Sequence, residues 1–363
     1  MIVDYRLPMT TTRSTSAHRL WRLARKRTAV LSAAAIVIGL SGTVTPALLA
    51  PASATATTPL SYQLGWITNT EFAGTYLAQN EGLFAAHGLS VTLLPGGSAP
   101  VEPVVVSGKA LVGDSNADIV SAAVAAGAPL RIIGARYQIN PFDIISSAKS
   151  PITNPQGLVG KTIGVNTYNL TAWYIFLALN GINKTQVTTK DEGYTEGPTP
   201  LINGQVQAWM GFSTNEPGVL QLKGFKPYSF LMSSYGYHVY ADVYVTTVND
   251  IKTHRAELIS FMKGELAGWS ADIADPAKGS ALTTSLYAKK LGFDPKQQTL
   301  ENTAQIALIK TSYTKAHGLF AMSAADIAAN VATLKFAQAH KFATYYTNSN
   351  LFDGSILAAA EGH

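Results

Sequence analysis

Aromatic rings and amide side chains are concentrated where predicted strands give way to predicted helices. Trp66 ends the first predicted strand and Asn69 follows it, and Tyr168 follows the first strand of the second half. An aromatic face can stack on a flat ligand, and amides pair with the polar edge of that ligand. The pattern favours a site for a flat, partly polar molecule, with helix capping and core packing as the alternative roles. The candidate ligand-binding residues are Trp66, Asn69, Glu71, Ser98, Asn116, Tyr137, Asn166, Tyr168, Asn169, Thr171, Asn215, Glu216 and Tyr237.

Glu216 is the most informative single residue, because it stands at the start of a predicted helix. The positive end of the helix dipole favours a carboxylate there, so capping alone accounts for it. In a cleft, the same carboxylate can pair with an amino group or a protonated ring nitrogen. The nearby aromatic run at residues 235–240 is either a cleft wall or an aromatic-rich strand, and we favour the strand.

The sequence contains no pattern typical of catalysis or of metal binding. Its seven histidines lack metal-ligand spacing and do not accompany a nucleophile. The absence of cysteine excludes disulfides, thiolate chemistry and cysteine-ligated metals. Gly96-Gly97-Ser98 lacks the lysine of a phosphate-binding loop and the spacing of a dinucleotide fingerprint. We therefore expect a binding protein without catalytic residues, metal or cofactor.

Alternating strands and helices must position the junction residues. Strands are predicted at residues 60–66, 91–94, 110–113, 130–135 and 142–146, with helices between most of them. The pattern restarts with strands at residues 161–165, 208–212 and 240–246, and the chain is mostly helical beyond residue 253. This order predicts an α/β fold of two lobes, each with a mainly parallel sheet. In such folds ligands bind in the crevice at the carboxyl ends of the strands.

The overall charge of +5 comes from the first residues of the chain. Seven basic residues precede Ala54 with a single acid, Asp4, and the rest of the chain has 20 basic and 21 acidic residues. The positive field that would attract nucleic acid is thus confined to this segment. We expect no nucleic-acid partner.

Residues 1–54 have the organisation of a secretion signal. A basic segment at residues 22–27 precedes an apolar core at residues 29–40, and Ala52-Ser53-Ala54 supplies small residues for cleavage. The core is shorter than the roughly 20 apolar residues that span a bilayer, and an uncleaved anchor is the alternative. Without a cysteine to carry a lipid, we expect an exported protein, periplasmic or extracellular, that begins with a linker at residues 55–59.

The segment at residues 65–78, followed by Glu81-Gly82-Leu83-Phe84 and Gly88-Leu89, resembles a known family. It is similar to the opening of the substrate-binding proteins of ABC importers in the aliphatic-sulfonate, nitrate, taurine and thiamine-pyrimidine group (NMT1/THI5-like). Residues 107–110, 126–129 and 158–165 agree with the same group. The resemblance covers the chain after Pro59 and implies a monomer with a type II periplasmic-binding-protein fold that docks on a membrane permease.

The resemblance also implies an organisation and a ligand. Lobe 1 would comprise residues 60–144 with 247–363 and lobe 2 residues 145–246, joined by a two-strand hinge at residues 142–146 and 240–246. Residues 203–208 and 211–217 are most similar to the binders of pyrimidine precursors of thiamine. On that basis Trp66 would stack on an aromatic heterocycle and Glu216 would hold its amino group.

Three other functions remain open on this fold. A sulfonate, taurine or nitrate ligand would use amides, hydroxyls and an arginine, for which Arg136 is the candidate. We prefer the heterocycle, because a buried carboxylate such as Glu216 repels an anion. A pyrimidine-synthase-like enzyme is disfavoured, since Phe72 stands at the position of that enzyme's histidine and its cysteine-rich run has no counterpart. A sensor that works without a transporter is the third possibility.

Overall fold

The computed structural model describes residues 57–97, 100–193 and 197–362. The predicted secretion signal and the candidate ligand residue Ser98 lie outside the described residues. Within the described part of the chain, no helix combines the length and the apolar character needed to cross a bilayer.

Ten strands form two five-stranded sheets. In chain order they are β1 (Thr58–Gln63), β2 (Leu89–Leu94), β3 (Val112–Ser115), β4 (Leu130–Tyr137), β5 (Phe142–Ser147), β6 (Thr162–Val165), β7 (Thr188–Asp191), β8 (Ala208–Phe212), β9 (Pro227–Leu231) and β10 (Ala241–Thr247). The first sheet has the order β2-β1-β3-β10-β4 and the second β7-β6-β8-β5-β9. β10 is antiparallel to β3 and β4, and β5 is antiparallel to β8 and β9. The remaining pairs are parallel, as the alternation of strands and helices predicts.

Helices connect the strands and fill the carboxyl-terminal third. The helices are α1 (Ala73–Asn80), α2 (Leu83–Ala86), α3 (Val101–Val106), α4 (Ala117–Ala125), α5 (Leu170–Leu179), α6 (Thr199–Ile202), α7 (Glu216–Leu222), α8 (Val248–Thr253), α9 (Arg255–Ala274), α10 (Pro276–Leu282), α11 (Pro295–Ile309), α12 (Ser312–His317), α13 (Ala324–Ala339) and α14 (Ser355–Glu361). One-turn 3-10 helices at Thr70–Phe72 and Thr167–Asn169 precede α1 and α5. Both stand at junctions where the sequence predicts ligand contacts.

The chain crosses between the sheets twice, at residues 138–141 and 232–240. The predicted hinge strands are β5 and β10, and each is the first strand after a crossing. β10, which the sequence-based division assigns to lobe 2, pairs with β3 and β4 of the first sheet. We therefore propose lobe boundaries within the two crossing segments.

The second crossing contains the aromatic run that we predicted to be a strand, and that prediction is wrong. A 3-10 turn at Met232–Tyr235 is followed by Gly236 in the left-handed conformation (φ 91°), and β10 begins only at Ala241. Tyr237 is 1% exposed and packs edge-on against Phe142, with ring centroids 6.1 Å apart. Its ring belongs to the apolar core.

Large aromatic side chains fill the cores beside the two sheets. Trp173, Trp209 and Trp269 are fully buried. The indole nitrogen of Trp173 donates to Thr189 Oγ1 at 2.8 Å, so this residue is a core residue with a satisfied polar end. Trp66 differs from these three, since 36% of it is exposed.

Candidate ligand-binding cleft

Trp66 and Tyr168 face one another across the gap between the two sheets. Trp66 lies in the turn after β1 of the first sheet, and Tyr168 lies in the 3-10 turn after β6 of the second. Their ring centroids are 6.0 Å apart with an interplanar angle of 89°. Tyr168 is 47% exposed, so both rings present surface to solvent. The two junctions that the sequence singles out therefore meet at one cleft.

Close backbone packing fixes the turn that carries Trp66. A Cβ atom on Gly65 would lie 2.6 Å from a carboxylate oxygen of Asp114, and a Cβ on Gly96 would overlap the carbonyl oxygens of Leu64 and Trp66. Glycine is required at both positions because any side chain would displace the turn. The indole is thus presented from a backbone with little freedom to shift.

Asn69 is a helix cap whose other end is bound. Its side-chain oxygen accepts from the backbone N–H of Glu71 at 3.3 Å. Its Nδ2 donates to Glu301 Oε1 at 2.7 Å, and the residue is only 7% exposed. Both ends of the Asn69 amide are therefore hydrogen-bonded within the protein, and the residue holds the turn between β1 and α1 in place.

A buried polar face of α11 joins the two sides of the cleft. Glu301 Oε2 accepts from Gln297 Nε2 at 2.9 Å and from Gln298 Nε2 at 2.8 Å. Gln297 Nε2 also donates to Oδ1 of Asn215, which follows β8 of the second sheet, at 2.7 Å. Sequence reasoning missed Gln297, Gln298 and Glu301. The sequence does contain a pattern that could have identified them, because polar residues recur on one face of this helix. These residues are Gln297, Gln298, Glu301, Asn302 and Gln305.

Glu216 folds back over its own strand-to-helix turn. Its Oε2 accepts from the backbone N–H of Phe212 at 2.7 Å. A Cβ on Gly211 would come within 2.7 Å of the Glu216 carboxyl carbon, so the carboxylate lies flat on this backbone. Burial raises the pKa of Glu216 to about 7. One oxygen is therefore committed to the turn before α7, and the side chain of the N-cap residue Asn215 makes no capping hydrogen bond.

Arg136, the candidate for holding an anion, is fully buried and already paired. Its Nη2 lies 2.7 Å from Asp242 Oδ2, and its Nη1 lies 3.1 Å from Asp114 Oδ2. The guanidinium also stacks over the rings of Phe72 and Trp269, at 5.0 and 5.2 Å from their centroids. Its two terminal nitrogens face these carboxylates, and its Nε is buried without a hydrogen-bond partner among the described residues.

The remaining candidates divide between the cleft side and the interior. Tyr137 is 1% exposed and donates to Gln305 Oε1 of α11 at 2.7 Å. Asn116 precedes α4, and its Oδ1 accepts from the backbone N–H of Asp242 at 3.2 Å. Asn166 begins the turn that carries Tyr168, and its Oδ1 is buried with no hydrogen-bond partner among the described residues. Asn169 is half-buried and Thr171 is exposed at the start of α5.

Two carboxylates beside the cleft make the stability of the protein depend on pH. Burial raises the pKa of Glu301, as it does that of Glu216, to about 7. The folded state therefore binds more protons than the unfolded chain between about pH 4.5 and pH 7. We expect the free energy of unfolding to fall by about 1 to 3 kcal/mol as the pH rises through this window, and then to level off. Urea unfolding at pH 5 and pH 8 measures the difference.

Glu216→Gln provides the control for this pH dependence. The amide oxygen of glutamine can still accept from Phe212, so the turn is kept while the titrating group is removed. The variant should therefore lose part of the difference between pH 5 and pH 8. An unchanged difference would show that Glu216 does not contribute to it.

Two sheets linked by two crossings, with junction residues facing each other across a cleft, define a periplasmic-binding-protein fold. Solved structures share it: the periplasmic aliphatic sulphonate binding protein SsuA from Escherichia coli (TM-score 0.64, 14% identity) covers 82% of this chain and 93% of its own. The alkanesulfonate-binding protein SsuA from Xanthomonas axonopodis pv. citri, bound to MOPS, has a TM-score of 0.57 at 17% identity, covering 84% and 98%. The desulfurization enzyme DszB has the same fold, with a TM-score of 0.53 at 12% identity over 83% and 98%.

The chain belongs to the NMT1/THI5 like family, whose model matches residues 69–279. A curated relative, the riboflavin-binding protein RibY of Chloroflexus aurantiacus, is 24% identical over 268 residues. The match covers 69% of this chain and 70% of that protein. The family resemblance drawn from the sequence is confirmed, as is the predicted fold.

Proposed function

We propose that this protein is the exported solute-binding protein of an ABC importer and that it binds a small aromatic heterocycle, such as a pyrimidine precursor of thiamine. The facing pair Trp66 and Tyr168 carries the proposal, because two exposed rings at the mouth of the cleft suit a flat ligand. A ligand entering between them would replace their edge-to-face contact with stacking on one or both rings. The membrane permease is the partner this function requires.

The charges around the cleft support a neutral or amino-bearing ligand over an anion. Glu216 and Glu301 flank it, and burial, with a smaller contribution from the charge of Glu216, raises the pKa of Glu301 to about 7. Arg136, the cation nearest in sequence to the predicted site, is committed to Asp114 and Asp242. An anion placed beside two carboxylates would be repelled at close range.

The relatives divide between the two ligand classes. RibY is named as a riboflavin-binding protein, and riboflavin is a flat aromatic heterocycle. The SsuA proteins are named as sulfonate-binding, which keeps a sulfonate as the competing ligand. Binding without chemistry fits the polar side chains described here, since Asn69, Asn215 and Glu216 are engaged in caps and in contacts between elements.

A thermal-shift panel tests the proposal. The full chain would be screened against thiamine, aminopyrimidine precursors, riboflavin, taurine, alkylsulfonates and nitrate. A ligand at a hundred times its dissociation constant adds about 2.7 kcal/mol of stability, which raises the melting temperature measurably. We expect a shift with a heterocycle and none with taurine or nitrate. A shift confined to sulfonates would keep the fold and overturn the ligand class.

Glu216→Gln should weaken binding of an amino-bearing heterocycle by about tenfold, because a charge-assisted hydrogen bond becomes a neutral one. The wild-type affinity should also rise as the pH increases from 6 to 8, since a pKa of about 7 means that Glu216 ionises in this range. Calorimetry with a ligand that does not itself titrate there measures both effects. Equal affinities in the two proteins would remove Glu216 from the ligand contacts.

A further inference from the structure

The lobes that carry the two sheets contact each other through α11 as well as through the two chain crossings. α11 is anchored in the first lobe, because Gln298 Oε1 accepts from the backbone N–H of Thr70 at 2.9 Å and Gln305 Nε2 donates to the carbonyl oxygen of Thr70 at 2.7 Å. Gln305 Oε1 also accepts from the hydroxyl of Tyr137 on β4 at 2.7 Å. The first turns of the same helix reach α7 of the second lobe.

One hydrogen bond joins the two lobes at this place. Gln297 Nε2 donates to Asn215 Oδ1 at 2.7 Å, and it also donates to Glu301 Oε2 at 2.9 Å. Gln297 is only 8% exposed, so water competes little for its amide group. The bond therefore stabilises the arrangement of the lobes in which it forms.

Asn215 is the N-cap residue of α7, yet its side chain does not cap the helix. An asparagine in this position ordinarily accepts from the backbone N–H of the second or third helical residue. Here the side chain makes no capping hydrogen bond, and its Oδ1 accepts from Gln297 of the other lobe. The amide of Asn215 thus serves the contact between the lobes and not the helix that it precedes.

A glycine lets α7 and α11 approach each other beside this hydrogen bond. Gly218 is buried in α7, and a Cβ atom added there would lie 3.4 Å from Leu300 Cβ of α11. Glycine within a helix is less stable than alanine, so its presence here indicates a packing requirement. A long side chain at this position would extend into the space that Leu300 occupies.

The hydrogen bonds continue from α11 to the turn that carries Trp66. Glu301 Oε1 accepts from Asn69 Nδ2 at 2.7 Å, and Glu301 Oε2 accepts from Gln297. A connected path therefore runs from the Trp66 side of the cleft through α11 to Asn215, which directly precedes Glu216 on the opposite side.

We propose that Gln297 and Leu300 of α11, together with Asn215 and Gly218, form a latch that holds the two lobes closed. The latch consists only of protein groups, so it favours the closed arrangement before any solute binds. Loss of its hydrogen bond should shift the ratio of closed to open protein by about three- to tenfold, the net contribution of one such bond. The proposal goes beyond solute binding and does not depend on the class of solute.

Distances between two spin labels test the latch in the full chain without added solute. The sequence has no cysteine, so Ser90→Cys on β2 and Thr188→Cys on β7 create two specific labelling sites. Both residues are exposed, and they lie on edge strands of the two sheets. Double electron–electron resonance should give one dominant distance when the latch is intact. Asn215→Ala should add a population at a longer distance.

Two further variants and a control make the result specific. Gln297→Ala should also open the lobes, and the double variant with Asn215→Ala should open no further, because both changes remove the same hydrogen bond. Gly218→Leu should lengthen the distance by separating α7 from α11. Lys296→Ala changes an exposed neighbour on α11 and should keep the distances of the labelled protein with an intact latch.

Thermal unfolding checks that each variant is folded. Asn215→Ala should keep its melting temperature within a few degrees, since the replaced side chain makes no capping hydrogen bond, and it decides the test if Gln297→Ala does not fold. A folded Asn215→Ala protein with unchanged distances would overturn the proposal. So would a protein with an intact latch that already shows mainly the longer distance.

Discussion

Trp66→Ala is expected to weaken binding of the aromatic heterocycle by about 10- to 100-fold, because stacking on one aromatic side chain contributes about 1 to 3 kcal/mol. The protein itself should keep its stability, since 36% of Trp66 is already exposed and its ring makes an edge-to-face contact with the exposed ring of Tyr168. Isothermal titration calorimetry measures the affinity, and thermal unfolding measures the stability.

Two further variants make this result specific. Tyr228→Ala removes an aromatic ring of comparable exposure (38%) from the edge strand β9, and it should leave the affinity unchanged. Tyr168→Ala should weaken binding, and the double variant with Trp66→Ala should lose less than the sum if both rings hold the same ligand. A Trp66→Ala protein with wild-type affinity would place the ligand elsewhere.

Arg136→Leu is expected to destabilise the fold by about 3 to 5 kcal/mol, because it leaves buried carboxylates without their cation. Arg136 is 0% exposed and bridges Asp114 of β3 and Asp242 of β10 beside β4, its own strand. Urea unfolding of the two proteins at pH 8 measures the loss. The loss should shrink at pH 5, since protonation neutralises carboxylates whose pKa is raised by burial.

The matched control is Arg131→Leu on the same strand. Arg131 is half-buried and donates to the neighbouring carbonyl of Leu130, without an ion pair among the described residues. Its replacement should change the free energy of unfolding by about 0.5 kcal/mol. Similar losses for both variants would contradict the special role of the buried ion pairs.

The alternation of strands and helices could be predicted because buried parallel strands are continuous apolar runs. The strands that escaped prediction are β7 and β9, the outer two of the second sheet. β7 reads Thr-Thr-Lys-Asp and is largely exposed, so it carries no apolar signal. β9 begins with a proline. An edge strand tolerates a proline, but in a sequence a proline argues against a strand.

The site was only partly visible in the sequence, for a physical reason. Trp66 and Tyr168 could be identified because each lies where a predicted strand gives way to a predicted helix, and strand ends converge at the crevice. Arg136 of β4 contacts Asp114 of β3 and Asp242 of β10. These residues are far apart in the sequence, so no local sequence pattern indicates that they form ion pairs. Tyr237 lies in the crossing segment, where an aromatic-rich sequence packs into the core without forming a strand.

The emission of Trp66 during a ligand titration shows directly whether an aromatic heterocycle binds against this ring. The other tryptophans that the structure describes are fully buried, so a ligand in the cleft should change the signal of Trp66 above all. We expect saturable quenching by an aminopyrimidine or a flavin in the wild-type protein and none in Trp66→Phe. We expect no change with taurine or an alkylsulfonate. Saturable binding of a sulfonate, or heterocycle binding that leaves the Trp66 signal unchanged, would contradict it.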